Sequence, residues 1–557
     1  MLKKLLVCLV TMVTLIGSCN SIACTSMLIT KEASKNGAVI LTHSDDCSMG
    51  DPRVIYVPAK DYAANAKRTI YAGDNFTFPR YVGGIGSKAY NIRGYSKSKP
   101  LGYIPQVRHT YAYLEGTIPI MNEKQVSFAE VTDVQKTLLL KLKPKKGKRI
   151  IGLRSLVKIA AERSETARQA VKIMGKMAQK YGYYSYGESI FVGDKNEGWL
   201  FEVCSTPDGK SALWVAEKIP AGTVAVTANE YRIRNIDPDN PNILYSDNLF
   251  KVARQYHLWD FKKGQLDWLR TVSDGELNHP YYNLRRVWRV YELLNPKLDL
   301  PSKIKNGFTG DYPFSIKPEH KISLKDITKI YRDHYEGTKF DLTKGLAAGP
   351  FRSPRRYFGD YDLRDRFSTK TREIGSWERP IGSYRTVYTI INESRSDMPD
   401  FLGGRTWISL SRADLSVFIP FYVALMPDNY EYVNRNKFDL SKPWWIYAFV
   451  SNWANLRYSS MQKIIAKLQQ RIETGELEKI ALLEKKALAV YQQHPQQSRR
   501  LLSNYTFHNA AKITATWRKL ATNLVVDYCN GLIHSKNVGY PKWWLDKVGY
   551  SKGPIKY

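Results

Sequence analysis

Residues 1–46 constrain this chain more tightly than any other stretch, because they decide what its first strand can begin with. Lys3 and Lys4 precede an apolar run from Leu5 to Ile16, and small or polar residues follow. That order is the layout of a secretory signal peptide, too short in its apolar part to span a membrane as a stable anchor. Small residues at Ser21 and Ala23 suit a cut just before Cys24, so residues 1–23 read as a signal peptide. Cys24 then carries a thiol and a free α-amine on one residue. An α-amine titrates near pKa ~8, close to the ~8.5 of a thiol, so it can serve as base for its own side chain without a His partner. Residues 24–30 read as a strand, Asn36-Gly37 as a tight turn and 38–43 as the return strand. The hairpin delivers Ser44-Asp45-Asp46 beside the new terminus, where a carboxylate can hold an ammonium or a water.

Two plainer readings stand beside this one. Ile16-Gly17-Ser18-Cys19 resembles a lipobox, which would make Cys19 a lipid-anchored terminus. A small buried Cys in a strand is also commonplace. Removing residues 1–23, with their two lysines and no acid, leaves 534 of 557 residues and lowers the net charge from +32 to +30. That length holds one large domain or two. A strongly basic chain can bind nucleic acid or anionic surfaces, but here Lys and Arg are spread along the sequence without a nucleic-acid motif. The charge therefore reads as solubility and envelope affinity, with no nucleic acid as partner. Cys24, Cys47, Cys204 and Cys529 are spaced too widely for a disulfide scaffold or a zinc site. The nine histidines show no HExxH or HxH spacing, so neither a metal nor another cofactor is expected. After the leader no apolar run approaches ~20 residues, and no transmembrane helix is expected in the mature chain.

Further along, Val126 and Phe128 alternate as in a strand, with Asn122-Glu123 suited to the turn before it. Residues 152–181 read as one helix ended by Gly182, with Ala167, Ala170, Val171, Met174 and Met177 on one face. Strands follow at 189–192, 199–204, 212–216 and 224–227, and Asn229 closes the last of them as a cap or turn residue. Tyr281 to Arg289 opens a helical run with apolar Val287, Val290 and Leu294, and its arginines suit a solvated face. Residues 383–391 and 417–423 are strand patterns, with another strand at Trp407 between them. From 457 to 526 the pattern is helical, broken into three helices at Gly475 and around Pro495.

Cys24-Thr25-Ser26 with Asp46 beyond the hairpin resembles the cysteine dipeptidases of the N-terminal-nucleophile hydrolases, relatives of penicillin V acylase and bile salt hydrolase. MNEKQVSFAE at 121–130, VTAN at 226–229, YYNLRRVWR at 281–289 and YEGTKFDLTKGLAAGP at 335–350 are similar to segments of the same family, in the same order. The resemblance implies an α+β fold, the four-layer αββα sandwich, with a catalytic domain at 24–452 and a C-terminal helical extension at 453–557 that offers a lid or a dimer surface. It implies a secreted or periplasmic dipeptidase that cleaves small peptides by acyl transfer through Cys24. Asp46 would orient the amine, the Asn122 backbone N–H and the Asn229 side chain would hold the oxyanion, and Arg286 would be the site's cation. Arg285 stands one residue away, should the register differ. A homo-oligomer is left open. The alternatives are an amide acylase of the penicillin or bile-salt type and a noncatalytic surface lipoprotein anchored at Cys19. Two departures carry no role: His43 stands where close relatives often carry Arg, and Asn392-Glu393-Ser394-Arg395 replaces a Ser-His or Gln-x-Arg pattern.

Overall fold

A computed structural model describes residues 24–554 apart from 48–49, 73–77, 84–85, 276–281, 305–306, 309, 357–377 and 425. The signal peptide, Cys19 and Tyr281 lie outside the described residues. β1 (Thr25–Ile29) and β2 (Val39–Asp45) form the expected hairpin, antiparallel with Ser26 opposite His43. Gly37 in the connecting turn has φ +70°, a region where a Cβ is strained. Met27, Ile29 and Ile40 are buried in one core, and Leu28, Val39 and Leu41 in another. Both faces of the hairpin are covered, so residues 27–29 and 39–41 are continuous apolar runs instead of alternating.

β1 and β2 occupy the middle of a seven-stranded antiparallel sheet, flanked by Val224–Thr227 on one side and Tyr388–Ser394 on the other. An eight-stranded antiparallel sheet runs through Ala212–Lys218, Gly198–Ser205, Gly187–Gly193 and Ser127–Asp133. The two sheets share a core in which Leu28, Leu41 and Ala225 meet Ala129, Phe191 and Leu213. On the eight-stranded sheet Phe128, Ile190 and Phe201 share a second core with the helices Leu153–Arg163 and Ala167–Tyr181. On the seven-stranded sheet Met27, Val226 and Ile391 pack with the helices Leu284–Leu294 and Leu324–Ile330. The fold is thus mixed helix and antiparallel sheet, and the hairpin that opens with Cys24 lies at its centre.

Two helix boundaries differ from expectation. The run at 152–181 is two helices, because Thr166 caps the second by accepting a 3.2 Å hydrogen bond from the Gln169 N–H. The C-terminal run is two long helices instead of three, Tyr458–Tyr491 and Pro495–Asp527. Gly475 stays inside the first, since a helical Gly costs only about 1 kcal/mol against Ala and packing elsewhere on the helix outweighs that. The break falls at His494, with Pro495 in the first turn where its missing N–H is harmless. Ile465, Ile513 and Trp517 of these helices share a core with Leu114, Ile390, Ile408 and Phe421 of the sheets. The boundary expected between 452 and 453 falls inside the helix Pro443–Ala454. Among the described residues no helix is long and apolar enough to cross a membrane.

Candidate active site

Cys24 immediately precedes β1, and its side chain is fully buried. Its Sγ lies 3.9 Å from Glu130 Oε1. The sulfur, a Glu130 oxygen and a ring nitrogen of His43 all lie within 4.8 Å of one another, a donor set in which Cys, His and carboxylate could meet a metal ion. Burial pushes the Cys24 thiol well above its usual pKa, and Glu130, Asp45 and Asp46 push it the same way, opposed by a hydrogen bond from the Asp46 N–H. His43 Nδ1 lies 3.3 Å from Ser26 Oγ, and Nε2 has no hydrogen-bond partner among the described residues. Burial lowers His43 to about 3, so its imidazole is neutral.

Arg286 ties two segments together beside this thiol. Its Nη1 donates to the Cys24 carbonyl at 2.6 Å and to Thr25 Oγ1 at 2.8 Å. Its Nη2 donates to the Ala228 carbonyl at 3.1 Å and to Asn229 Oδ1 at 2.8 Å. Burial and the nearby Arg379 lower its pKa to about 10, which still leaves a cation at neutral pH. Arg285 points elsewhere, with its guanidinium 3.5 Å from the centroid of the Phe340 ring and 3.6 Å from Glu378.

Asn229 adopts φ +67°, a left-handed conformation that Asn tolerates better than most side chains. That turn sends its Nδ2 to the Thr132 carbonyl at 2.7 Å and its Oδ1 to Arg286. Asp46, just past β2, accepts from Arg379 Nη2 at 2.7 Å, from Thr386 Oγ1 at 2.5 Å and from Ser44 Oγ at 3.3 Å. Ser44 Oγ in turn accepts from the Thr25 N–H at 3.2 Å, so Asp46 is linked to the start of β1.

Asn122 is a correction. Its backbone N–H donates to the Val126 carbonyl at 2.9 Å, and its Oδ1 accepts from the Val126 N–H at 2.9 Å. Its Nδ2 donates to the carbonyls of Ala161 and Ser164 at the end of a helix. Every polar group of Asn122 is committed to a turn and a helix end, and the backbone donor expected from it is absent from the cluster around Cys24.

The model of peptidase family C69 matches residues 23–471. This chain belongs to that family. Among curated proteins it is 25% identical over 435 residues to a "Probable dipeptidase" of Salmonella dublin, covering 74% of this chain and 83% of the relative. It is 24% identical to a "Probable dipeptidase" of Latilactobacillus sakei, over 83% of this chain and 87% of the relative. "Dipeptidase A" of Lactobacillus helveticus is 23% identical over 59% of this chain and 61% of its own length.

Several side chains of this C69 peptidase reach the site without having been expected there. Glu130 is the acid beside the thiol; its signal was an isolated charge at the end of the apolar strand pattern that includes Val126 and Phe128. Arg379 pairs with Asp46, and its Nη1 donates to Tyr282 Oη at 2.7 Å. Tyr331 donates to the Thr25 carbonyl at 2.9 Å, and its hydroxyl lies 2.8 Å from Thr42 Oγ1. Nothing local in sequence marks either residue. The 335–350 segment braces Arg379, because Tyr335 Oη donates to the Arg379 carbonyl at 2.6 Å.

Proposed function

We propose that this C69 peptidase is an exported dipeptidase whose nucleophile is Cys24, made the first residue by removal of residues 1–23. Its fold is then the four-layer αββα sandwich of the N-terminal-nucleophile hydrolases, with residues 453–557 as a helical extension of the 24–452 catalytic domain. The observation that carries this reading is the Arg286 clamp. One guanidinium binds the Cys24 carbonyl, the Thr25 hydroxyl and the Asn229 side chain, fixing two distant segments to its own helix around a single thiol. The names of the relatives favour dipeptides as substrates.

While the leader is attached, the Cys24 nitrogen is a planar amide without basicity, and burial holds the thiol protonated. Cleavage before Cys24 creates an α-amine that titrates near pKa ~8. That amine takes the thiol proton, and the thiolate adds to the scissile carbonyl. The proton then passes to the leaving amino group, and water releases the acyl group from the enzyme. His43, lowered to about 3, is too weak a base at neutral pH to replace the amine. Asp46, fixed by Arg379 and Thr386, orients the amine. Asn229 has two amide hydrogens; one holds Thr132, and the other serves the oxyanion. Arg286 supplies the permanent positive charge.

The test is Cys24→Ala in mature protein, assayed on an unblocked dipeptide. Hydrolysis should vanish while melting is unchanged, and wild type quenched during turnover should carry the acyl group on Cys24 by mass. Hydrolysis by Cys24→Ala would sink the reading.

A further inference from the structure

Glu130, beside the Cys24 thiol, and Glu188 are both buried, and neither has an ion pair among the described residues. Glu188 lies on Gly187–Gly193, the strand paired with that of Glu130, opposite Thr132. Glu130 and Glu188 are thus diagonal neighbours on one face of this strand pair, both fully buried. Neither Glu188 oxygen, nor Glu130 Oε2, has a hydrogen-bond partner among the described residues, and Thr132 lies near Glu188 without a bond of ordinary geometry. The field of Arg154 reaches Glu130, yet no ion pair joins them. Burial holds both acids well above the usual carboxylate range.

Other buried acids of this fold are provided for. Asp46 has Arg379, Glu115 has Lys158 at 2.8 Å, Glu393 has Arg405 at 2.7 Å and Glu484 has Arg395 at 2.6 Å. Asp133 and Glu202 lack a cation but receive donors: Ser189 Oγ at 2.5 Å to Asp133, and the Arg232 N–H at 2.6 Å to Glu202. A buried acid with neither cation nor donor is costly to the fold, which points to a ligand that supplies what is missing.

We propose that Glu130 and Glu188 form the subsite for the free α-ammonium of the substrate's first residue, and so confine hydrolysis to the bond that follows an unblocked amino-terminal residue. The inference rests on Cys24 being the nucleophile. Distance selects the ligand. In a reactive pose the scissile carbonyl carbon lies about 3–3.5 Å from the sulfur. The α-nitrogen of the same residue is two covalent bonds away, about 2.5 Å from that carbon. With Glu130 Oε1 only 3.9 Å from Sγ, that nitrogen comes within hydrogen-bond reach of the acid pair. An ammonium brings three donors, matching the three unpartnered oxygens, Glu130 Oε2 and both of Glu188. An acylated nitrogen has lost its charge and most of its hydrogens and would leave those oxygens bare.

The experiment compares Ala-Ala with N-acetyl-Ala-Ala on mature wild type, Glu188→Gln and Glu130→Gln, with alkylation of Cys24 by iodoacetamide measured on each. Wild type should prefer the unblocked dipeptide by about 100-fold or more in kcat/KM, since charged hydrogen bonds are lost with the amine. Glu188→Gln should lose about 10-fold or more on Ala-Ala, chiefly in KM, and narrow that preference without slowing alkylation. If Glu188→Gln does not fold, the same narrowing is read from Glu130→Gln. Equal cleavage of both substrates by wild type, or an unchanged preference in folded variants while hydrolysis still depends on Cys24, overturns the subsite alone. Hydrolysis of Ala-Ala by Cys24→Ala overturns the nucleophile, and the subsite with it.

Discussion

Arg286 does what no single lysine could, because its planar fork reaches the Cys24 carbonyl with one arm and Asn229 with the other. Arg286→Ala should therefore cost about 100-fold or more in kcat, while Arg285→Ala should cost far less, since that guanidinium lies against Phe340 and Glu378. Steady-state kinetics on purified variants checks this, and equal losses would contradict it. Asn229→Ala should likewise fall by about 100-fold in kcat. Asn122→Ala should instead lower the melting temperature and spare kcat, because its bonds hold a turn and a helix end. Differential melting beside kcat separates the two. That Cys24, Asp46, Asn229 and Arg286 would come together was legible because each sits on a recognisable local pattern: a strand start, a hairpin end, a strand end, a helix start. Asn122 misled for the same reason. An Asn-Glu turn looks the same in sequence whether its N–H faces a site or its own turn. Glu130 and Arg379 were missed because only tertiary approach brings them to Cys24 and Asp46.

At the scale of elements, strands were easier to read than helix ends. The hairpin strands were buried on both faces and so carry continuous apolar runs at 27–29 and 39–41, whereas the split at Thr166 depended on one cap and Gly475 did not break its helix. The sequence also left no sign that Asn392-Glu393-Ser394-Arg395 would be a docking point. Glu484 of the Tyr458–Tyr491 helix accepts from Arg395, which follows the strand Tyr388–Ser394, at 2.6 and 2.7 Å and from Arg405 of the strand Arg405–Leu410 at 2.8 Å. Glu484→Ala leaves the buried Arg395 guanidinium without its carboxylate, while Arg405 keeps Glu393, and removing one member of a buried pair costs about 3–5 kcal/mol. Denaturant unfolding of the variant should show a loss of that order. A loss under about 1 kcal/mol, the range of exposed pairs, would mean that the helix is held by its apolar face alone.

For the molecule as a whole, buried acids set the pH dependence of stability. Burial raises Glu202 to about 8 and Asp45 to about 6, whereas unfolded carboxyls ionise near their usual values of 4.5 and 3.8. Above those usual values the folded chain keeps protons that the unfolded chain has released, so stability is full below them and falls as pH rises toward about 8. The melting temperature should drop between pH 5 and pH 8, and Glu202→Gln, neutral throughout, should flatten the decline; a melting temperature that rises over this range would contradict the assignment. The same burial raises the Cys24 thiol well above its usual pKa, and the proposed dependence of its activation on processing is the central claim. Its most direct measurement is N-terminal sequencing of exported, active protein, with activity compared in a variant that keeps one uncleavable residue before Cys24. The account predicts a mature chain beginning at Cys24 and no hydrolysis from the extended variant, whose fold and melting stay normal. Active enzyme that begins at any other residue, or full hydrolysis by the extended variant, would contradict it.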